Sequence, residues 1–376
     1  MALKKNITFR SVIRQLHLFL GLITGIIVFI VAITGCLWVF QEEIRELTRE
    51  PFSYEVSHNN AMVTPTRAKK MAQSVFPDKR IHGTLYSGQE NPVEVIFYQS
   101  EPEEFYRMVY LHPQSGELIR SENLLNGFFH FVLDGHMYLW LPESIGHEVV
   151  RWGTAIFAIM LITGIVLWWP KTKKLQKRHF WFKWNKRTKW KKKNYDYHNI
   201  SGFYASLLGL TIAFTGCVMA FDPFESVVYD TIGGEKETNF SIPANESGSY
   251  KEKNVPAIDQ LLPKLRKTYS DAFSFEFHYP HTDSSSIYVE VTNREGTFYK
   301  NDYRFYDQNT LAELSTPSIY GDYSAASFSD KVIRMNYDIH VGSIAGLPGK
   351  IIMFCISLIC AALPVTGFLI WLNRKR

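Results

Sequence analysis

Cysteine is scarce. The chain has four, Cys36, Cys217, Cys355 and Cys360, all within apolar runs, so no disulfide framework ties its polar segments together and the thiols read as small packing residues. Familiar catalytic signatures are missing too. No nucleophile elbow, P-loop, dinucleotide glycine fingerprint or HExxH helix occurs, which excludes the chemistries those motifs support. There is no CxxC or HxxxH pair of the spacing that structural zinc requires. Acidic residues are absent from the four longest apolar runs, which is thin support for an ion path through them.

What the chain does have is membrane-length apolar sequence. "LHLFLGLITGIIVFIVAITGC" runs from Leu16 to Cys36, and no charge interrupts the stretch from Leu16 to Phe40. As a helix it is long enough to cross a hydrocarbon core of ~30 Å. His17 at its start is explicable alone as an interfacial residue. The "ITGC" at Ile33–Cys36 after basic Lys4, Lys5, Arg10 and Arg14 also resembles a lipoprotein signal, but the apolar core exceeds the usual h-region of about 7–15 residues. Recurrence decides against both. At Tyr197 the chain reads "YHNISGFYASLLGLTIAFTGC", with His198, Gly202, Thr215, Gly216 and Cys217 each 181 residues after His17, Gly21, Thr34, Gly35 and Cys36. Two further apolar spans, Arg151 to Trp169 and Ile351 to Leu372, share "TGIVLWW" at Thr163 and "TGFLIWL" at Thr366. An internal repeat of this kind governs the fold class. The expectation is a membrane α-helical protein of four transmembrane helices in two repeats.

Charge sets the expected orientation. Lys171 to Lys193 holds twelve Lys or Arg and no acid, whereas the long segments from Gln41 to Glu148 and Asp222 to Gly349 are mixed or acidic. The positive-inside rule puts the basic loop and both termini in the cytoplasm and the long segments outside, with Trp168, Trp169 and Trp371 at the inner interface. Trp181, Trp184 and Trp190 interleave the basic loop, but topology and anionic headgroups explain its charge without nucleic acid. Each outer segment predicts a small α+β domain: "TPTRAKKMAQSVFP" as a helix followed by strands "PVEVIFYQS" and "EFYRMVYLHPQSGELI", then "PAIDQLLPKLRKTYS" followed by "FSFEFHYP", "SSIYVEVTN" and "TFYKNDYRFYDQNTLAEL".

The histidines sort by membrane face. His17 and His198 begin helices that rise from the cytoplasm, and His136 and His340 precede the two helices that return, giving one pair near each surface. Paired imidazoles at one depth suit a metal, a haem or a proton relay. Gly21 and Gly25 follow His17, and Gly202 and Ser206 follow His198, at spacings that keep each helix face bare beside its imidazole, as a flat macrocycle requires. Ordinary small-residue helix packing is the competing explanation, and the coupling of histidine to a bare face in both copies favours haem. Two axial imidazoles favour electron transfer over oxygen chemistry. Arg14, Lys193 and Tyr195 inside, with Arg151 and Lys350 outside, are candidate partners for propionates. His130, six residues before His136, is an alternative outer ligand, and His147 reads as a rim contact. His58, His82, His112, His278 and His281 read as surface or turn residues of the outer domains, and His179 as solvated.

These segments resemble the PepSY-associated transmembrane family, which includes iron-regulated membrane proteins and ferric-siderophore reductases of bacterial inner membranes. "LHLFLGLITGIIVFIVAITGCLWVFQEEI", "GHMYLWLPESIGHEVVRWGTAIFAIMLITGIVLWWP", "YDYHNISGFYASLLGLTIAFTGC" and "IHVGSIAGLPGKIIMFCISLICAALPVTGFLIWL" look like its four helices. His340 with Gly349 and Lys350 follows the family pattern, while Gly135 stands where Leu is usual and His147 where a basic residue is usual. The resemblance implies two PepSY-like extracytoplasmic domains at 42–125 and 222–335. Around them lie 1–41 with the first helix, 126–170 with the outer histidine segment and second helix, the basic loop 171–196, the third helix 197–221, and 336–376 with the fourth helix and tail. It further implies two haem b groups, ligated by His17 with His198 and His136 with His340, and reduction of a ferric siderophore or other ferric chelate on the periplasmic side. The electron donor would be a quinol, a flavodoxin or another cytoplasmic reductase. A PepSY membrane protein regulating periplasmic peptidases and a siderophore or iron transporter component are the rival readings.

Overall fold

A computed structural model describes residues 8–57, 61–170 and 180–375, so His58, His179 and the basic segment 171–179 lie outside the described residues. Its helices are α1 (Phe9–Trp38), α2 (Gln41–Thr48), α3 (Pro65–Val75), α4 (Phe128–Tyr138), α5 (Glu143–Trp168), α6 (Trp190–Ala220), α7 (Asp222–Thr231), α8 (Ala257–Thr268), α9 (Phe328–Arg334), α10 (Asn336–Val341) and α11 (Gly346–Lys375). Four segments, Phe9–Trp38, Glu143–Trp168, Trp190–Ala220 and Ser343–Arg374, are long and apolar enough to cross a membrane.

These four helices form one compact unit with α2, α4 and α10. Helix α1 starts on a reciprocal cap: the Thr8 side chain accepts from the Ser11 amide and the Ser11 side chain accepts from the Thr8 amide. It packs against α5 and α11, and α6 packs against the same two, so the spans close into a ring of neighbours. Helix α6 starts before the expected residue 197, at Trp190, because Lys192 and Asp196 form an i,i+4 ion pair that supports extra turns ahead of the apolar run.

The second unit corrects one expectation. The two polar segments do not make two separate domains. Strands β1 (Ile81–Tyr86), β2 (Val93–Gln99), β3 (Phe105–Leu111) and β4 (Leu118–Asn123) from the first, with β5 (Ser274–His278), β6 (Ile287–Thr292), β7 (Asp302–Tyr306) and β8 (Glu313–Leu314) from the second, form one antiparallel sheet. Its order is β4-β3-β2-β1-β5-β6-β7-β8, joined at the middle by β1 and β5 with Thr84 opposite Phe277. The reason is the core. Val93, Val95 and Phe97 alternate onto the same face as Phe275, Phe277 and Val289, and α3 and α8 cover that face together through Ala68, Ala72, Leu261 and Leu265. Asp259 of α8 accepts from the Thr66 amide of α3 at 2.8 Å, fixing the two helices side by side. Four strands and one helix would leave half of this apolar surface wet.

Asp330 anchors the second segment's return. It is buried and accepts from the Tyr229 hydroxyl at 2.6 Å, Lys236 Nζ at 3.0 Å and the Ser327 amide at 3.0 Å. These donors hold its carboxyl at about 2, below the ordinary 3.8, against the opposing effect of burial. A depressed carboxylate stabilises the fold above its unfolded pKa and loses that contribution as pH falls through its folded value, here about 2 kcal/mol lost between pH 4 and 2. Asp330→Asn should therefore lower the melting temperature at pH 7 and shrink the acid-side loss in that window, as thermal unfolding followed by circular dichroism across pH would report.

Candidate functional site

Four Thr-Gly pairs, one on each long helix, receive one histidine each: Thr34-Gly35 in α1, Thr163-Gly164 in α5, Thr215-Gly216 in α6 and Thr366-Gly367 in α11; a further pair, Thr24-Gly25, lies mid-way along α1. Nδ1 of His17 lies 2.9 Å from Thr163 Oγ1, Nδ1 of His198 2.9 Å from Thr366 Oγ1, and Nδ1 of His340 2.9 Å from Thr215 Oγ1. His136 Nδ1 lies 3.3 Å from Thr34 Oγ1 and 2.9 Å from the Val31 carbonyl. The glycines make room for the rings. A Cβ would stand 3.2 Å from His136 Cε1 at Gly35, 3.5 Å from His17 Cε1 at Gly164, 3.4 Å from His340 Cε1 at Gly216 and 3.2 Å from His198 Cε1 at Gly367.

This contact fixes the tautomer. Every one of the four threonine hydroxyls donates into its own helix, Thr163 to the Met160 carbonyl at 2.9 Å and Thr366 to that of Ala362 at 2.9 Å, for example. With its proton engaged, the hydroxyl oxygen is left to accept, so Nδ1–H donates to it. The Val31 carbonyl at His136 can only accept, which gives the same answer independently. Nε2 is therefore the lone-pair nitrogen of each ring. That is how metal-binding histidines are commonly held, the distal N–H tethered and the ligating nitrogen presented.

Two levels result. His17 and Thr34 are 17 residues apart on α1, as are His198 and Thr215 on α6, which is about 26 Å of helix rise. His17 and His198 face one cavity of about 1000 Å³, at the upper end for small-molecule sites. Gly21, Gly25 and Gly202 line it and Ser206 does not; Cβ atoms at the three glycines would meet Met160, Pro364 and Leu363 on neighbouring helices, so these glycines serve helix packing too. Trp168 and Phe203 stack at 3.6 Å in its wall. Arg14 lines it with Arg10 and Arg374, neither of which was among the expected propionate partners.

At the other level the His136 and His340 ring centroids are 6.3 Å apart. Two imidazoles ligating one ion from opposite sides, each Nε2 about 2.0–2.1 Å from it and about 1.1 Å from its own ring centre, put the centroids about 6.3 Å apart. The residues present fit a bis-imidazole cofactor at this level, and the tethered Nδ1 atoms fit it at both. His130 does not share the arrangement. It opens α4 six residues earlier, about 120° around the helix axis from His136. The expected outer cations are engaged elsewhere: Arg151 pairs with Glu148, and Lys350 with Glu43 at 2.8 Å and Glu42 at 3.4 Å. The unusual Gly135 is explained locally, because a Cβ there would stand 2.4 Å from Cζ2 of Trp140, whose indole stacks on Phe131.

Two partners were missed from sequence. Asn194 Nδ2 donates to the Thr366 carbonyl and Asn336 Nδ2 to the Thr215 carbonyl, each at 3.0 Å, on the same threonine that receives the histidine four residues on. The signal was there, since "NYDYH" at Asn194 and "NYDIH" at Asn336 are near copies.

The tautomer assignment is directly measurable. ¹⁵N-histidine solid-state NMR of the cofactor-free protein should show Nδ1–H, Nε2-bare signals for these four rings among its histidines, and Thr366→Val should shift that of His198; a spectrum unchanged in that variant would contradict the tether.

The chain matches the family described as PepSY-associated TM region over residues 14–374. No curated protein matches it.

Proposed function

We propose that the chain, which belongs to the PepSY-associated TM region family, is a di-haem b oxidoreductase of the bacterial inner membrane that reduces ferric chelates, ferric siderophores among them, on the periplasmic side. The observation that carries this reading is the fourfold histidine tether, which engages Nδ1 of His17, His198, His136 and His340 and leaves Nε2 as the lone-pair nitrogen, at two levels about 26 Å of helix rise apart. Held by His17 with His198 and by His136 with His340, haem b would supply one-electron transfer between the two faces of the membrane.

The chain's own residues do the rest. A haem held by two imidazoles, His17 with His198 or His136 with His340, would favour electron transfer over oxygen chemistry. Arg10, Arg14 and Arg374 at the His17–His198 cavity supply positive charge for carboxylate groups. Trp168 and Phe203 close its wall with apolar surface. No general acid or base is needed at the outer face. Hydroxamate and catecholate oxygens bind hard Fe(III) far more firmly than Fe(II), so one electron weakens the chelate and releases Fe(II). The protein must bring the chelate near, not rearrange its bonds.

Two experiments bear on this. Detergent-purified protein should carry two b-type haems per chain by pyridine haemochrome, with sharp low-spin bands on dithionite reduction that ferric chelates reoxidise. His17→Ala and His198→Ala should each lose one haem, His136→Ala and His340→Ala the other, and His130→Ala neither; a wild-type protein that stays colourless after haem is supplied would sink the reading. Electron entry is assigned to the basic first turn of α6, Lys191 to Lys193, which would dock an acidic donor such as a flavodoxin. Reversing the charge of Lys191, Lys192 and Lys193 should slow reduction by such a donor and flatten its salt dependence, with dithionite reduction unchanged.

A further inference from the structure

On the face of the sheet turned away from its core, three side chains from two strands converge. Glu276 and His278 alternate on β5, opposite in sense to the core residues Phe275 and Phe277. His82 sits on β1 where the register with β2 slips, Ile81 pairing with Phe97 and Gly83 with Ile96, so His82 is the extra residue of a bulge. Bulges re-aim side chains. The ligating atoms of the three lie within 4.8 Å of one another, His278 Nε2 being 3.4 Å and His82 Nε2 4.0 Å from Glu276 Oε1. Ligands about 2.1 Å from one tetrahedral ion lie about 3.4 Å apart.

We propose that His82, Glu276 and His278 form a binding site for a divalent first-row transition metal ion, separate from the haem histidines. Three observations go beyond a plain ion pair. His278 Nδ1–H donates to the His82 carbonyl at 3.1 Å, so Nε2 carries the lone pair, and that nitrogen is buried with no hydrogen-bond partner. Stacking on Tyr288 at 4.3 Å holds the ring in this orientation. Gly83 leaves the space the carboxylate uses, since a Cβ there would stand 2.5 Å from Glu276 Oε1. Two imidazoles and one carboxylate select ions such as iron(II) or zinc(II) over magnesium and calcium, and three protein ligands leave positions open. His82 and His278 also line a cavity of about 310 Å³, which gives those positions access to water or to a donor group from solution. The residues form no part of the proposed electron path, so the site stands or falls independently of it.

Calorimetric titration of the full chain tests the site. The protein, without a polyhistidine tag and stripped with a chelator, should bind one zinc(II), and anaerobically one iron(II), per chain. The half-exposed His82 makes His82→Ala safe for folding, and it should weaken binding by about tenfold or more, as should Gly83→Ala and His278→Ala. Wild-type protein that takes up no ion, or the same affinity in wild type and a His82→Ala variant of unchanged melting temperature, would overturn the proposal.

Discussion

A neutral imidazole turned against an apolar helix must place its N–H on an acceptor there, because an unmade hydrogen bond in apolar surroundings costs several kcal/mol. Helix carbonyls already accept an intrahelical bond, although at His136 one of them, that of Val31, serves beside the threonine. Threonine resolves this, since its hydroxyl returns its own proton to the helix and still offers a lone pair outward. The following glycine clears the surface beside it, so the ring can lie against the helix. One dipeptide thus supplies both the acceptor and the space, and the bundle uses it four times. The helix order depends on it: α1 must adjoin α5 and α4, and α6 must adjoin α11 and α10, for each histidine to reach its threonine.

Duplication acts differently on the two units. In the membrane-length helices the copies stay separate and complementary, each histidine pair taking one ring from each copy. In the sheet the copies merge, because β1 and β5 present free edges that pair with one another and α3 and α8 share a single apolar face. An exposed edge strand is a liability, and pairing two such edges within one chain removes it.

The repeat, the spans and the four depth-matched histidines were legible because they rest on composition and on a fixed sequence offset. The Thr-Gly pairs were legible as repeat markers but not as acceptors, since the partner of His17 lies 146 residues away and nothing local points to it. The fate of Lys350 was hidden for the same reason: only tertiary packing brings Glu42 and Glu43 to it. The merging of the two predicted α+β domains was hidden because strand periodicity tells which residues face a core and not whose core it is. The His82 bulge breaks the alternation on which strand reading relies, so His82 and His278 read as scattered surface histidines.

The two copies are not equivalent at the histidines. In the second copy an asparagine stands one turn before each, so α6 is fastened to α11 through Asn194 and His198 on Thr366, and α10 to α6 through Asn336 and His340 on Thr215. Two bonds to one residue set the rotation of the helix as well as the position of the ring. In the first copy the equivalent positions are Ile13 and Val132, which offer no such bond; α1 is instead fastened to α5 through Arg10, which donates to the Leu167 and Trp169 carbonyls, and His136 Nδ1 is shared between Thr34 and the Val31 carbonyl. Each histidine pair therefore takes one ring from a segment bonded twice to its threonine, by asparagine and histidine, and one from a segment held by other means, so the duplication kept the Thr-Gly acceptor while the support around it diverged.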